Sequence, residues 1–332
     1  MIRRLSLRQL TVFTEAVRHM NFARAAEALH LTQPAISMQI RQLEGAIGLP
    51  LFERIGKKLA LTAGGELFRH HATRVLGELQ DAEQALQGLK GLHSGQATVG
   101  LVSTAKYFTP KLLAQFAALH PKIDIQFLVG NRGTLINALR DNEIDFAVMG
   151  RPPERLDAKS EAIAENPHRL VAHKSHQLLR ATSFDIHELR KETFLMREAG
   201  SGTRLVMESV FKQHLFTPAR IVTMGSNETV KQAVMAGMGI SLLSLHTLEL
   251  ELRTHEIGLL DVLGTPVMRN WHLVHMTAKK LSPAATAFRQ FLLENAQIYL
   301  TETFAAHSRQ RRQQLVKTKT KKKSRLKGEA KR

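Results

Sequence analysis

Residues 21–47, NFARAAEALHLTQPAISMQIRQLEGAI, decide the fold. Asn21 offers a side-chain oxygen to cap a short helix in which Phe22, Ala25, Ala26 and Leu29 form one apolar face, its central alanines letting another helix cross closely. After a turn at His30–Leu31, Thr32 caps a second helix that accepts Pro34 in its first turn, where an amide has no intrahelical partner to lose. Ile36, Ile40, Leu43 and Ile47 recur at spacings of four, three and four and face inward, so the outer face begins with Gln33, Ala35, Ser37 and Met38. Two short helices, a tight turn, and small or hydrogen-bonding residues at the exposed start of the second helix are what a helix-turn-helix, here about 22–41, presents to base edges in a major groove. An ordinary three-helix bundle is the competing reading.

Upstream, Leu7, Leu10, Phe13, Val17 and Met20 predict a helix over 7–20 packed through that stripe. Downstream, LFERIGKKLALTAGG at 51–65 predicts a hairpin wing whose tip offers Arg54, Lys57 and Lys58 to phosphates or to the minor groove. From Gly64 to Leu92 one long helix is expected. Ala72, Leu79 and Leu86 take one heptad position and Phe68, Val75, Ala82 and Leu89 the other, a coiled-coil seam of about three heptads. The alternative is that this stripe packs on its own domain. Gly88, Gly91 and Ser94-Gly95 end the helix and mark a domain boundary.

A chain of 332 residues exceeds what one core usually organises, so two or more domains are expected. No run of about 18 apolar residues is present to cross a bilayer, and the basic start MIRRLSLRQL leads into no apolar signal core. The expectation is a cytoplasmic protein without membrane partners. The absence of cysteine excludes disulfides, thiolate nucleophiles and cysteine-ligated metals. The 16 histidines show no ligand spacing, and His70 and His71 would point about 100° apart on a helix, so no metal site is expected. The formal net charge is +18, concentrated at the two ends. Residues 309–332 carry twelve basic and one acidic residue, +11, and residues 1–65 carry nine basic and four acidic, +5. Both segments have the electrostatic signature of polyanion binding, and the tail is too uniformly charged to bury a core.

Beyond Ser94, strand-like and helical runs alternate: QATVGLVST, PKLLAQFAALH, KIDIQFLVG, TLINALRDN, DFAVMG. A second set follows with RLVAH, TFLMRE, the helix after GSGTR, RIVTMG, ETVKQAVMAG and GISLLS. This βαβ alternation predicts two α/β units with parallel sheets and a cleft between them, crossed near Asn166-Pro167 and near Leu263 to Pro266, with PAATAFRQFLLENA returning to the first unit. Ligands in such sheets sit at the carboxyl ends of strands and at helix N-termini. That rule selects Ser103, Thr104 and Lys106 after the first strand, Gly202, Thr203 and Arg204 after Gly200-Ser201, and Ser226 before ETVKQAV; ordinary helix capping explains the same residue types.

Residues 7–65 resemble the LysR-type DNA-binding domain without a gap, notably in ARAAEALHLTQPAIS, IRQLE, LPLFER and LTAGG, and residues 95–300 resemble that family's periplasmic-binding-protein-like effector domain. The resemblance implies an N-terminal winged helix-turn-helix (1–65), a dimerisation linker helix (66–92), a two-subdomain α/β effector domain (95–300), and here a basic tail (309–332). Carried over by position, Gln33, Pro34, Ala35, Ser37, Met38 and Arg41 fall where the family reads the groove, and Arg54 and Lys57 where its wing meets the backbone. Val75, Leu79, Ala82, Leu86 and Leu89 fall on its dimerising helix. Many relatives are basic at the position of Met38. STAKYFTPKLL and MREAGSGTR are similar to regulators of Calvin-cycle carbon-fixation genes, including the RuBisCO operon. The implied partners are double-stranded DNA, a second copy or three further copies of the chain, RNA polymerase, and a small anionic effector. That effector would be a phosphorylated metabolite or NADPH, with no tightly bound cofactor. Arg197 would join Lys106 and Arg204 in the cleft.

An enzyme is the main rival class, but GxGxxG after a strand, a Walker lysine motif, GxSxG and a metal-ligand cluster are all missing. A transport binding protein shares the second fold but carries an export signal and no helix-turn-helix. A LysR-type regulator of nitrogen, sulfur or aromatic metabolism stays open.

Overall fold

The computed structural model describes residues 5–305 apart from 57, 90–94, 155 and 182. Lys57 and the tail at 309–332 therefore lie outside the described residues, as does the Leu89 side chain. Three helices open the chain: α1 Leu7–His19, α2 Phe22–Ala28 and α3 Gln33–Ile47. Asn21 accepts from the Ala23 and Arg24 amides and Thr32 from the Ala35 amide, which fixes where each helix of the helix-turn-helix begins. Ala25 and Ala26 are fully buried at the crossing, and Ile36, Ile40 and Leu43 face the core as their spacing requires. The α1 stripe differs from expectation. Leu10, Phe13 and Ala16 are buried together with Val12, whereas Leu7 in the first turn and Met20, the left-handed C-cap beyond the helix, are exposed.

Strands β1 Phe52–Ile55 and β2 Lys58–Leu61 form the wing hairpin, turning at Gly56 with φ +64. Glu44 of α3 accepts from the amides of Leu51 and Phe52 at 2.8 and 3.2 Å, which docks the wing on the helix and gives the motif IRQLE its glutamate. The following helix, α4 Ala63–Leu89, starts against the same turn: a Cβ on Gly65 would stand 2.0 Å from the Leu51 carbonyl oxygen, so only glycine fits. Phe13 packs on Phe52 and Phe68 at centroid distances of 5.4 and 5.0 Å, joining α1, the wing and α4 in one aromatic cluster. Phe68 and Ala72 thus belong to the core of the N-terminal domain and not to a dimer seam. The exposed apolar line begins at Val75 and continues through Leu79, Ala82 and Leu86.

The second domain has two lobes. In the first, β3 Gly95–Val102 pairs in parallel with β4 Ile123–Gly130 and β5 Phe146–Met149, covered by α5 Thr109–Leu119, α6 Arg132–Arg140 and a C-terminal helix α10 at 283–305. Phe288, Phe291, Leu292, Ala296 and Leu300 of α10 pack with Phe116, Phe146 and Trp271, so the last helix returns to the first lobe as expected. In the second, β7 Thr193–Arg197 pairs in parallel with β8 Arg220–Met224 beside α7 Gly202–Gln213 and α8 Asn227–Met235, followed by β9 Ser241–Ser244, α9 Glu249–Arg253 and β10 Ile257–Leu259.

The sheets are not purely parallel. RLVAH is the end of a 16-residue strand, β6 Ala158–His173, which pairs antiparallel with β11 Val267–Met276, and the two run side by side through both lobes. They set the order β10-β6-β11-β5-β3-β4, with β9 also on β6. Strands that carry the chain from one lobe to the other and back must be antiparallel to each other. The first expected crossover falls on β6, where Asn166 pairs with Arg269 and Pro167 with Met268, whereas Leu263 to Pro266 form the turn that leads into β11 at Val267.

Candidate functional site

The face of α3 away from the core carries Gln33, Pro34, Met38 and Arg41 exposed, with Ala35 and Ser37 half-buried, so every residue expected to read DNA from this helix reaches the surface. Pro34, Ser37, Met38 and Arg41 line one shallow hollow together with Gln42. On the wing, Arg54 is exposed and lies opposite Leu59, and Lys58 stands exposed opposite Ile55. The whole face therefore offers short polar groups flanked by cations and no acidic side chain from α3. A surface of that kind suits base edges between phosphate rows. Leu7, expected inward, instead shares a shallow hollow with Val75 and Leu79, so an apolar patch extends from the α4 line onto α1.

Between the lobes lies a cleft of about 540 Å³. The carboxyl ends of β3, β4 and β5 bring Ser103, Thr104, Asn131, Arg132 and Arg151 to it, the start of α7 brings Ser201, Gly202 and Thr203, and the crossing strands bring Asn166, His168, Arg269 and His272. Among the described residues that line it, four, Arg132, Arg151, Arg197 and Arg269, are arginines and none is an aspartate or glutamate. Arg197 is 4% exposed: its Nε and Nη2 donate to the Glu198 carboxylate at 2.7 and 2.8 Å, and Nη1 lies 3.4 Å from both Ser103 Oγ and Asn227 Oδ1. Arg132 donates to the Arg151 and Pro152 carbonyls at 3.4 and 3.2 Å. Burial, and then the neighbouring Arg151 cation, push its guanidinium below the ordinary arginine range, a repulsion that a bound anion relieves. The α7 N-terminus opens at the cleft without a side-chain cap, whereas α2, α3, α6 and α8 are all capped. Its first amides are left to serve as donors.

His168 is buried in the cleft wall and held neutral, pushed down to about 4 chiefly by desolvation. Its Nδ1 donates to the Asn166 carbonyl at 3.1 Å, leaving Nε2 as a neutral acceptor. Behind the wall, His246 is pushed down to about 3 by burial and by His168, and its Nδ1 accepts from Trp271 Nε1 at 2.9 Å.

Of the cleft residues expected from sequence, Ser103, Thr104, Gly202 and Thr203 line the cavity, and Arg197 does as well. Three do not. Lys106 is exposed beyond the rim with its Nζ 5.3 Å from the Tyr107 ring centre, because the short turn at Ala105–Tyr107 carries it away. Arg204 is one residue past the α7 opening and swings to Glu208 one helical turn on, at 2.7 Å. Ser226 caps α8, accepting from the Thr229 amide at 3.0 Å, so its capping role is the one observed. Arg132, Arg151 and Arg269 are cleft residues that the sequence argument missed. Among the described residues no His, Asp or Glu group is placed to hold a metal, and no helix is long and apolar enough to cross a membrane.

Comparison with known proteins agrees with this anatomy. Residues 7–66 match the family described as bacterial regulatory helix-turn-helix protein, lysR family, and residues 90–297 match the LysR substrate binding domain. The HTH-type transcriptional regulator CfxR of Cupriavidus necator is 60% identical over 299 residues, covering 90% of this chain and 94% of that protein. The RuBisCO operon transcriptional regulator of Allochromatium vinosum is 46% identical over 294 residues, covering 88% and 97%. The regulatory domain of Synechocystis CcmR, solved in complex with 2-PG, superposes with a TM-score of 0.58 at 35% identity, covering 61% of this chain and 99% of that one. The N-terminal helix-turn-helix, the linker helix and the two-lobed cleft are thus the parts of one known design, and the chain belongs to the LysR family of DNA-binding transcription regulators.

Proposed function

We propose that this regulator controls carbon-fixation genes, the RuBisCO operon among them, and that it does so as a homo-oligomer responding to a small phosphorylated anion bound between its lobes. The observation that carries the reading is the cleft itself: among the described residues its lining has four arginines, an uncapped helix N-terminus and no carboxylate. Such a lining disfavours cations and favours phosphate or carboxylate groups. The relatives' names support the gene set, and the 2-PG complex of CcmR supports the ligand class. Gln33, Pro34, Ala35, Ser37, Met38 and Arg41 read the groove, Arg54 and Lys57 hold the backbone, and Val75, Leu79, Ala82, Leu86 and Leu89 join two copies. Ser103, Thr104, Gly202 and Thr203 hold the effector with Arg132, Arg151 and Arg269. Occupancy favours one closure of the lobes, which changes how the oligomer sits on DNA and what it offers RNA polymerase, with a coupling of roughly 1–3 kcal/mol.

Two measurements test this. Genome-wide mapping of bound sites is expected to recover the promoter of the RuBisCO operon; sites confined to nitrogen, sulfur or aromatic metabolism would replace the pathway and leave the family untouched. Calorimetry on the full-length protein with 2-PG, phosphoenolpyruvate, sugar phosphates and NADPH is expected to find a ligand for the cleft, and none binding would remove the phosphorylated-anion reading.

A further inference from the structure

The helix α6 has one end in the cleft and the other on the linker helix. At its start, Asn131 and Arg132 line the cavity, and Arg132 is tied to the carbonyls of Arg151 and Pro152. Leu135, Ala138 and Leu139 bury its inner face against Ala147, Met149 and Val274, so the helix moves with the sheet beneath it as a rod about 13 Å long. At its far end the Asp141 amide donates to the Asn137 carbonyl at 2.8 Å, which fixes a nearly buried carboxylate on the end of the rod.

That carboxylate holds α4. Asp141 accepts from Arg69 Nη1 at 2.9 Å and pairs with His70 Nδ1 through its other oxygen. The next residue, Asn142, packs so tightly on the linker that a Cβ on Gly77 would stand 2.5 Å from its Nδ2. Lys279 completes the contact, reaching Asn142 Oδ1 at 2.7 Å and Asp81 at 3.4 Å. At about 100° per residue, His70, Gly77 and Asp81 share one face of α4, while Val75, Leu79, Ala82 and Leu86 lie roughly opposite. The linker is therefore gripped by the first lobe on the side away from its exposed apolar line.

We propose that α6 transmits the state of the cleft to the linker helix, with the Asp141 clamp on Arg69 and His70 as the coupling contact. The proposal rests on the cleft being the effector site, and its test is run without effector so that either can fail alone. Full-length wild type, Arg132→Ala, Asp141→Ala and the double variant are titrated onto a DNA fragment recovered from the wild type's own bound sites, with footprints recorded. Releasing the cleft end of α6 by Arg132→Ala is expected to change the operator dissociation constant about 5-fold or shift the footprint in the wild-type background. In the Asp141→Ala background the effect is expected to be much smaller, because the rod then meets the linker only through Asn142 and its Lys279 bridge. Equal effects in both backgrounds, or none in the wild type, would overturn the coupling. If Asp141→Ala does not fold, Arg69→Gln breaks the same clamp from the partly exposed side of the linker and is read the same way. Calorimetry with 2-PG on the same proteins reads the effector site separately.

Discussion

One guanidinium spans the cleft: Arg197 of the second lobe places Nη1 3.4 Å from the hydroxyl oxygen of Ser103 in the first. Its other nitrogens are engaged by Glu198, so the side chain needs its full fork to touch both lobes at once. Lysine has a single head and cannot. Arg197→Lys is expected to weaken 2-PG binding about 10-fold, the equivalent of about 1.4 kcal/mol, in calorimetry. Arg204→Ala, which removes a cation paired with Glu208 outside the cleft and a long hydrogen bond to the Arg197 carbonyl at 3.3 Å, is expected to change it less than about 2-fold. Equal losses in the two proteins would mean that the binding site is elsewhere.

Ser37→Glu places a carboxylate on the outer face of α3, where it meets base edges and phosphates and draws Arg41, one helical turn on, away from the DNA. Specific footprinting is expected to disappear while the thermal midpoint stays within a few degrees, because Ser37 is half-exposed and Ile36 beside it keeps its place in the core. A folded variant with an unchanged footprint would remove α3 as the reading helix.

The exposed line on α4 predicts the oligomer interface. Leu79 is 44% exposed and Val75 46%, and burying an apolar side chain of this size stabilises association by about 1.5–3 kcal/mol at full burial. Leu79→Glu, present twice in a dimer, is expected to weaken self-association at least about 100-fold in sedimentation equilibrium. An unchanged association constant would assign the dimer to another face.

Stability is expected to fall as the solution is acidified below pH 6.5. His168 and His246 titrate at about 4 and about 3 in the fold, against an ordinary 6.5. Above 6.5 neither the folded nor the unfolded chain protonates them. Below it, the unfolded chain takes up protons that the fold refuses, at on the order of 1.4 kcal/mol per pH unit for each imidazole until the folded values are reached. In His246→Gln the amide oxygen can still accept from Trp271, and the fall in urea midpoint between pH 7.5 and 5 should become smaller, with His168, His272 and His275, all lowered by burial, carrying what remains. The same slope in both proteins would show that His246 protonates without unfolding the chain.

Deleting residues 309–332, with their +11 charge, is expected to flatten the salt dependence of DNA binding and leave the preferred sequence unchanged, since phosphate contacts release counterions without reading bases. Identical slopes of log Kd against log salt would leave the tail a purely solubilising segment.

The N-terminal domain was legible because its signals are local. Asn21 and Thr32 cap within three residues of themselves, and the spacing from Ile36 to Leu43 states which face is buried. The heptad pattern extends further than the seam does: Phe68 and Ala72 fit the period, but the same period also serves the core beneath α1, and periodicity alone does not distinguish the partners. In the cleft, the rule that ligands meet the carboxyl ends of parallel strands extends to β4 and β5 as well as β3. Applied to β4 and β5 it selects Asn131, Arg132 and Arg151, which do line the cavity. Asn166, His168 and Arg269 had no such signal, because they stand in the middle of antiparallel strands and reach the cleft only through the register between β6 and β11. Lys106 and Arg204 stand beside good turns in the sequence, and one residue of helical rotation is enough to send each elsewhere.

The paired crossing strands also decide what kind of motion the effector domain can make. Their ladder slips by one residue, with Trp271 opposite Ala164 and His272 opposite Ala162, which leaves Ile163 outside the pairing. A bulge of this kind bends and twists a strand locally while the hydrogen bonds on either side remain intact. Two strands laced together resist shear and independent rotation, as a door on two hinge plates does, so the lobes are left with essentially one soft coordinate. Ligands of different shape that fill the cleft would then differ in how far they drive the domain along a single path and not in the direction they drive it, and their effects at a promoter should rank on one scale.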